Sequence, residues 1–297
     1  MGAQVRPGVQ APRPGAPPQE PRIQVQVNLV NLLVSVLDQD GKPLADLPRE
    51  AFEIFEEGVP QKVELFESET SQPLDLALMI DSSLSTFKEL DFEREAAAHF
   101  IRQVVRPGDR LAVYQVSERV TLLANFSADV AALQAAARGV GPGVATAMYD
   151  AVYLGAQALG KRPTARRRVI VLVTDAGETT SETTFDDVRR AALRAEALLY
   201  TVLIRPVKTE SGRNTAGEHA LVTIADVTGG AIYSPDSAAD LDSIFERIDR
   251  ELRTQYRLGY YPAPRPPARS FRQIEVRVNQ PASLRYRKGY YTSGALE

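Results

Sequence analysis

The sequence predicts an α/β fold: a doubly wound, mostly parallel sheet inserted into a smaller all-β, sandwich-like module. Three observations predict it. Between Leu74 and Thr254, short and nearly continuous apolar runs alternate with helix-period stretches, the pattern of strands buried on both faces by crossover helices. Period-two strand texture flanks that region on both sides, from Ile23 to about residue 70 and again after Thr254. A few strands with one apolar face are not stable alone, so the two flanks are expected to pair with each other.

Taken in order, residues 1–22 hold six prolines and three glycines with almost no large apolar side chain. Such a segment cannot bury enough surface to offset its ordering entropy, and a disordered tail is expected. Ile23, Val25, Val27 and Leu29 alternate with polar residues, and the parity then shifts to Leu32, Val34 and Val36, which predicts a bulge or a break near Val30. Asp40-Gly41 marks a turn, after which Phe52 and Ile54, then Val63 and Leu65, alternate with charged residues. The strands of the α/β region are expected at Leu74–Ile80, Leu111–Val116, Val120–Phe126, Val169–Val173, Leu199–Ile204 and Ala231–Tyr233. Helices are expected around Phe87, Leu90, Ala97, Ile101 and Val104, around Met148, Val152, Gly155 and Leu159, and around Leu241, Ile244, Phe245, Ile248 and Leu252. The last opens on Ser237 with Asp240 three residues on, a start resembling a capping box. Ile274, Val276 and Val278 return to period two, in a tail that carries six of the 11 tyrosines. Those tyrosines are expected in the sandwich core rather than on a binding platform. The expected units are therefore the tail 1–22, a discontinuous β module of 23–72 and 255–292, and an α/β domain of 73–254.

Composition narrows the function. The 297 residues are 44% hydrophobic and 25% charged, in the globular range. Lys and Arg number 35 against 38 Asp and Glu, a net charge of −3, so no global positive field draws the chain to nucleic acid. With no cysteine, disulfides, thiolate metal sites and cysteine nucleophiles are excluded. No apolar run approaches the roughly 20 residues that span a bilayer, so no direct membrane insertion is expected. Without a basic-then-apolar segment at Met1, the expectation is a cytoplasmic chain or one whose leader has been removed.

The chemistry is expected at the carboxyl ends of the sheet strands, where ligands bind in open α/β folds. Leu74–Ile80 runs into Asp81-Ser82-Ser83-Leu84-Ser85, which places a carboxylate and two hydroxyls at alternate positions of one turn. Asp81 or Ser83 also serves as a plain helix cap in such a turn. Two further segments add oxygens: Gly143-Val144-Ala145-Thr146 opens a helix with a hydroxyl at its mouth, and the strand Val169–Thr174 ends on Asp175. Carboxylates and hydroxyls without imidazole or thiolate suit Mg²⁺, Mn²⁺ or Ca²⁺ and disfavour zinc. Three side chains do not complete an octahedron, so waters and an external ligand must fill the remaining positions.

These segments resemble the von Willebrand factor A domain with its metal-ion-dependent adhesion site: Asp81-x-Ser83-x-Ser85 after a buried strand, Thr146 in Gly-x-x-Thr-Ala-Met-Tyr-Asp, and Thr174-Asp175 after the fourth strand. The resemblance covers about 74–254. The flanks, with Asp38-Gln39-Asp40-Gly41, Phe52–Gly58 and Arg287-Lys288-Gly289-Tyr290-Tyr291, resemble a bacterial subgroup with β segments around the A domain. The resemblance implies that Ser83, Ser85 and Thr146 coordinate Mg²⁺ (or Mn²⁺ or Ca²⁺) directly, and that Asp81 and Asp175 do so directly or through water. It further implies a non-enzymatic interaction or adhesion module, a partner protein offering a carboxylate to the ion, and a secreted, periplasmic or envelope location. One departure stands out: the family commonly has Asp-Gly after the fourth strand, where this chain has Asp175-Ala176-Gly177-Glu178. Whether Glu178 approaches the ion is left open, and Asp150 is expected to anchor a loop. A structural envelope protein with a vestigial site is the alternative. A metal-assisted hydrolase is a third reading, which lacks a nucleophile or general base near Asp81.

Other motifs carry less. Gly155–Lys161 shares letters with a phosphate-binding loop but closes a helix and has Arg162 in place of Ser or Thr. Asp38–Gly41 shares letters with a calcium loop but has Arg49 where the bidentate Glu belongs. His99 and His219 have no catalytic context, and Arg166-Arg167-Arg168 reads as a solvated edge.

Overall fold

The computed structural model describes residues 29–68, 71–83, 90–204, 214–263 and 271–292. The expected tail 1–22, the strand texture at 23–28, Ser85 and Phe87 lie outside the described residues. In chain order the elements are β1 (Val30–Leu37), β2 (Phe52–Glu56), β3 (Val59–Gln61), β4 (Leu65–Glu67), β5 (Leu74–Asp81), α1 (Leu90–Val104), β6 (Arg110–Val116), β7 (Val120–Ser127), α2 (Val130–Arg138), α3 (Met148–Gly160), β8 (Arg167–Thr174), α4 (Phe185–Arg194), β9 (Ala197–Leu203), α5 (Thr215–Thr228), β10 (Ala231–Tyr233), α6 (Leu241–Arg253), β11 (Tyr256–Tyr260), β12 (Phe271–Val278), β13 (Ser283–Arg285) and β14 (Gly289–Tyr291).

Six strands form the central sheet in the order β10-β9-β8-β5-β6-β7. All neighbours run parallel except β7, which is antiparallel to β6. Every residue of β5 and β8 is buried, which explains their unbroken apolar runs. The two faces still separate with period two: Leu74, Leu76, Leu78 and Ile80 join the core under α1, α2 and α6, whereas Ala77 and Met79 join the core under α3, α4 and α5. A Cβ on Gly155 would lie 2.2 Å from Met79 Cε, so the glycine makes room for the end of the Met79 side chain where α3 packs on β5. Gly155–Lys161 is thus the closing end of a packed helix and its C-cap. The chain leaves β5 for β6 on one side and returns to β8 on the other, so the winding reverses at β5, and a crevice opens above the carboxyl ends of β5 and β8.

The flanks pair across the whole chain. One sheet has the order β13-β1-β11-β4 and the other β14-β12-β2-β3. Their inner faces bury Leu32, Val34, Ile54, Tyr256, Leu258, Tyr260, Ile274 and Val276 in one core. Each such aliphatic side chain contributes about 1.5–3 kcal/mol by leaving water. The tyrosine hydroxyls are satisfied: Tyr256 accepts from Leu47 N and donates to Leu44 O, and Tyr260 and Tyr290 donate to the buried Glu56. Tyr261, by contrast, is exposed. Asp38–Gly41 is a turn, in which Asp38 Oδ1 accepts from Asp40 N and Lys42 N and Gly41 has φ +74°. Leu33 packs against the α/β core, and Arg285 of β13 pairs with Glu251 of α6 at 2.5 Å. Among the described residues no helix is long and apolar enough to cross a membrane.

Candidate metal centre

β5 ends on Asp81, whose side chain has no solvent exposure. Its Oδ2 accepts a 2.6 Å hydrogen bond from Thr174 Oγ1 at the end of β8. Its Oδ1 accepts from the Ser83 backbone N at 3.0 Å and lies 3.5 Å from Thr146 Oγ1. Burial pushes the Asp81 carboxyl up to about 6; the bonds from Thr174 and Ser83 pull it down, and the charge of Asp175 pushes it up again. None of these influences is a cation. Hydrogen bonds to a carboxylate contribute about 1.5–3 kcal/mol each, less than the several kcal/mol that an effectively buried charge costs.

Thr146 is fixed at the mouth of α3 by its own backbone. Its N–H donates to Thr179 Oγ1 at 2.9 Å, and its carbonyl accepts from Thr179 N and Thr180 N. Asp175, half-buried after β8, accepts from Gly177 N at 2.8 Å. A Cβ on Gly177 would lie 2.9 Å from Asp175 Oδ1 and 3.4 Å from Thr146 Oγ1, so both oxygens border one small space that the missing side chain leaves open. Asp81, Ser83, Thr146 and Asp175 therefore meet at one rim of the sheet, although 94 residues separate the first from the last. Ser85 lies outside the described residues.

The Asp175-Ala176-Gly177 departure has a backbone explanation. Ala176 takes φ +63° and is fully buried, so the turn keeps the left-handed conformation that glycine adopts freely, at a cost of about 1–2 kcal/mol for alanine. Glu178 turns toward α3: Oε2 accepts from Tyr149 N and Ser181 Oγ, and Oε1 from Ser181 N. A carboxylate at a helix N-terminus is favourably placed. Asp150 anchors the same loop, accepting from Glu182 N, Thr183 N and Thr183 Oγ1.

Sequence reasoning quoted Thr174 in the motif without giving it a role, and missed Gln115. Thr174 directly precedes Asp175, and its position in the last pair of a buried strand was the available signal. Gln115 of β6 donates to Ser82 Oγ and Gly141 O and accepts from Gly141 N, tying the loop after β5 to the loop before α3. Nothing local in the sequence marks it. His99 sits on α1 near Asp242, and His219 is exposed on α5.

Among the described residues there is no cluster of three or more His, Cys, Asp or Glu side chains able to hold a metal ion; the rim offers two carboxylates and hydroxyls instead. These hard oxygens fit Mg²⁺, Mn²⁺ or Ca²⁺.

Residues 76–178 match the model of the von Willebrand factor type A domain. The A domain match runs from within β5 to Glu178, so it takes in Asp81, Thr146 and Asp175. A von Willebrand factor type A structure from Catenulispora acidiphila superposes at a TM-score of 0.51 and 12% identity, covering 92% of this chain and 76% of that one. The von Willebrand factor domain of the type V pili tip protein Mfa5 from Porphyromonas gingivalis gives 0.50 and 13%, covering 61% and 95%. The pilus adhesin SpaC from Lactobacillus rhamnosus GG, in its open conformation, gives 0.51 and 10%, covering 73% of this chain and only 35% of the adhesin. At these identities the likeness is one of fold. No curated protein matches the chain.

Proposed function

We propose that the chain is a non-enzymatic protein-interaction module that holds Mg²⁺, or Mn²⁺ or Ca²⁺, through Asp81, Ser83, Ser85, Thr146 and Asp175, and through it the carboxylate of a partner protein. The observation that carries this reading is that Thr146 Oγ1 lies 3.5 Å from Asp81 Oδ1 and borders, with Asp175 Oδ1, the space beside Gly177, while the buried Asp81 carboxylate is served by hydroxyl and amide donors. A bound divalent cation would supply an open coordination position for an acidic side chain. Two carboxylates would leave that position close to neutral and still attractive to an anion. The protein's part is to hold the oxygens: Thr174 orients Asp81, Thr179 fixes Thr146, and Gly177 leaves the space clear. Mfa5 and SpaC, a pilus tip protein and a pilus adhesin with this fold, support an adhesive role in the envelope or outside the cell.

Titration with Mn²⁺, followed by its paramagnetic relaxation of water protons, tests the reading. The wild-type chain is expected to bind one ion, and Asp81→Ala to lose it while its circular dichroism is retained. Absence of cation binding at millimolar concentration in the wild type would hand the case to a structural role. A pull-down from native extract with and without chelator then identifies the partner.

A further inference from the structure

At the opposite end of the sheet, between the α/β layer and the sandwich, lies a cavity of about 540 Å³. That is the size of small-molecule sites. The run of β8 from Arg168 to Thr174 places it roughly 20 Å from the metal rim. Among the described residues that line it, six are arginines, namely Arg166, Arg167, Arg168, Arg194, Arg257 and Arg287, and one is a carboxylate, Glu196.

The accounting of their bonds is unusual. Arg166 pairs with Asp75, Arg257 with Glu67 and Arg287 with Glu196. Arg167 and Arg168, both more than nine-tenths buried, bond only to carbonyl-type oxygens: Arg167 to Gln72 O, Leu252 O and Gln255 Oε1, and Arg168 to Ala195 O and Arg162 O. A guanidinium carries five N–H donors. Arg168 and Arg287 each spend two in hydrogen bonds, and the Nε of each is buried with no hydrogen-bond partner. Burial lowers the Arg167 pKa to about 10, Arg253 adds repulsion, and Asp109 offsets part of it. Buried charge of one sign that is balanced by dipoles alone is costly. It is what a site for a bidentate oxyanion requires, since guanidinium matches carboxylate and phosphate in fork geometry. Leu32, Leu33 and Leu198 supply an apolar wall, so the ligand is organic or has room for a carbon skeleton.

We infer that this cavity binds a small oxyanion, a polycarboxylate or a phosphate compound, which bridges the sandwich and the α/β layer through Arg168, Arg257 and Arg287. The site is separate from the metal rim and needs no cation.

The test is a thermal-unfolding titration of the full chain with citrate and, separately, pyrophosphate. Both are read against sodium chloride at equal ionic strength, in EDTA so that no metal takes part. The expected result is a rise in Tm of about 2–6 °C at saturating ligand, from linkage of binding to folding. A shift with citrate alone assigns a carboxylate ligand, and a shift with pyrophosphate alone assigns a phosphate one. Arg168→Gln should abolish the shift, and Arg257→Gln, at a partly buried position, should weaken it at least tenfold in ligand concentration even if Arg168→Gln fails to fold. Leu33→Trp, which narrows the cavity, should also abolish it. No shift beyond the salt control with either anion, or an equal shift in the Arg257→Gln and Leu33→Trp chains, overturns the inference. Because Asp81→Ala leaves this response intact if the inference holds, failure here and failure of the metal reading are told apart.

Discussion

At the scale of the residue, the candidate centre turns on how one buried carboxylate is held. Asp81 is an aspartate with no exposure, and Thr174 donates a 2.6 Å hydrogen bond to it. Thr174→Val keeps the shape and removes that donor. Mn²⁺ affinity is expected to fall about 10–100-fold, the range for partners that orient metal ligands, with a near-native fold by circular dichroism. An unchanged affinity would show that Thr174 does not orient Asp81. The motif residues Asp81, Thr146 and Asp175 were legible in the sequence because each sits at a strand or helix end, where local pattern marks the boundary. The role of Thr174 and the presence of Gln115 were not, because which residue a side chain bonds on a neighbouring strand is not written in its own local pattern.

At the scale of the element, the clearest signals came from strands buried on both faces and from helices with long apolar stripes. α6 was legible, but its start was not where the pattern put it. Asp240 accepts from Ser237 N and Oγ, a 3₁₀ turn spans Ala238–Asp240, and the α-helix begins at Leu241. The helices α2, α4 and α5 carry no expectation from the pattern above. α4 had a usable mark all the same, the capping box of Thr184 and Asp187. The loop between β8 and α4 is held by Asp150, on which burial acts to raise the pKa while bonds from Thr183 and Glu182 prevail and lower it. A carboxyl whose folded pKa is depressed contributes stability that is present above its unfolded pKa and is lost as pH falls through the folded value. Asp150→Asn should therefore lower stability by about 1–2 kcal/mol near neutral pH, and the difference from wild type should shrink on acidification below about pH 4. Denaturant melts at pH 7 and pH 3 check this; a difference that does not change with pH would assign the effect to shape instead of charge.

At the scale of the whole molecule, the sandwich closes only when the two ends of the chain meet. β1 pairs with β11 and β2 with β12, across more than 200 residues. The α/β layer between them holds its own cores on both faces of the sheet. The flanks add to it Leu33, the Arg285 partner of Glu251, which also accepts from Tyr200 and Tyr233, the Arg287 partner of Glu196, and a hydrogen bond from Lys288 N to Val227 O. Residues 74–254 expressed alone are expected to melt cooperatively, a few degrees below the full chain. Residues 1–72 alone are expected to stay largely unfolded, because one half of a sandwich exposes its apolar face. A cooperative melt of 1–72 would contradict this. By itself, the sequence determined the alternation of strand and helix, the α/β class with β flanks, and the oxygen-bearing side chains at strand ends, since all of these follow from periodicity and local turn chemistry. Only the tertiary structure decided that Asp81, Thr146 and Asp175 share one rim, that Ala176 bears the strain of the turn, and that six arginines gather around one cavity. Contacts between residues distant in sequence are set by how sheets and helices pack, and no local pattern encodes them.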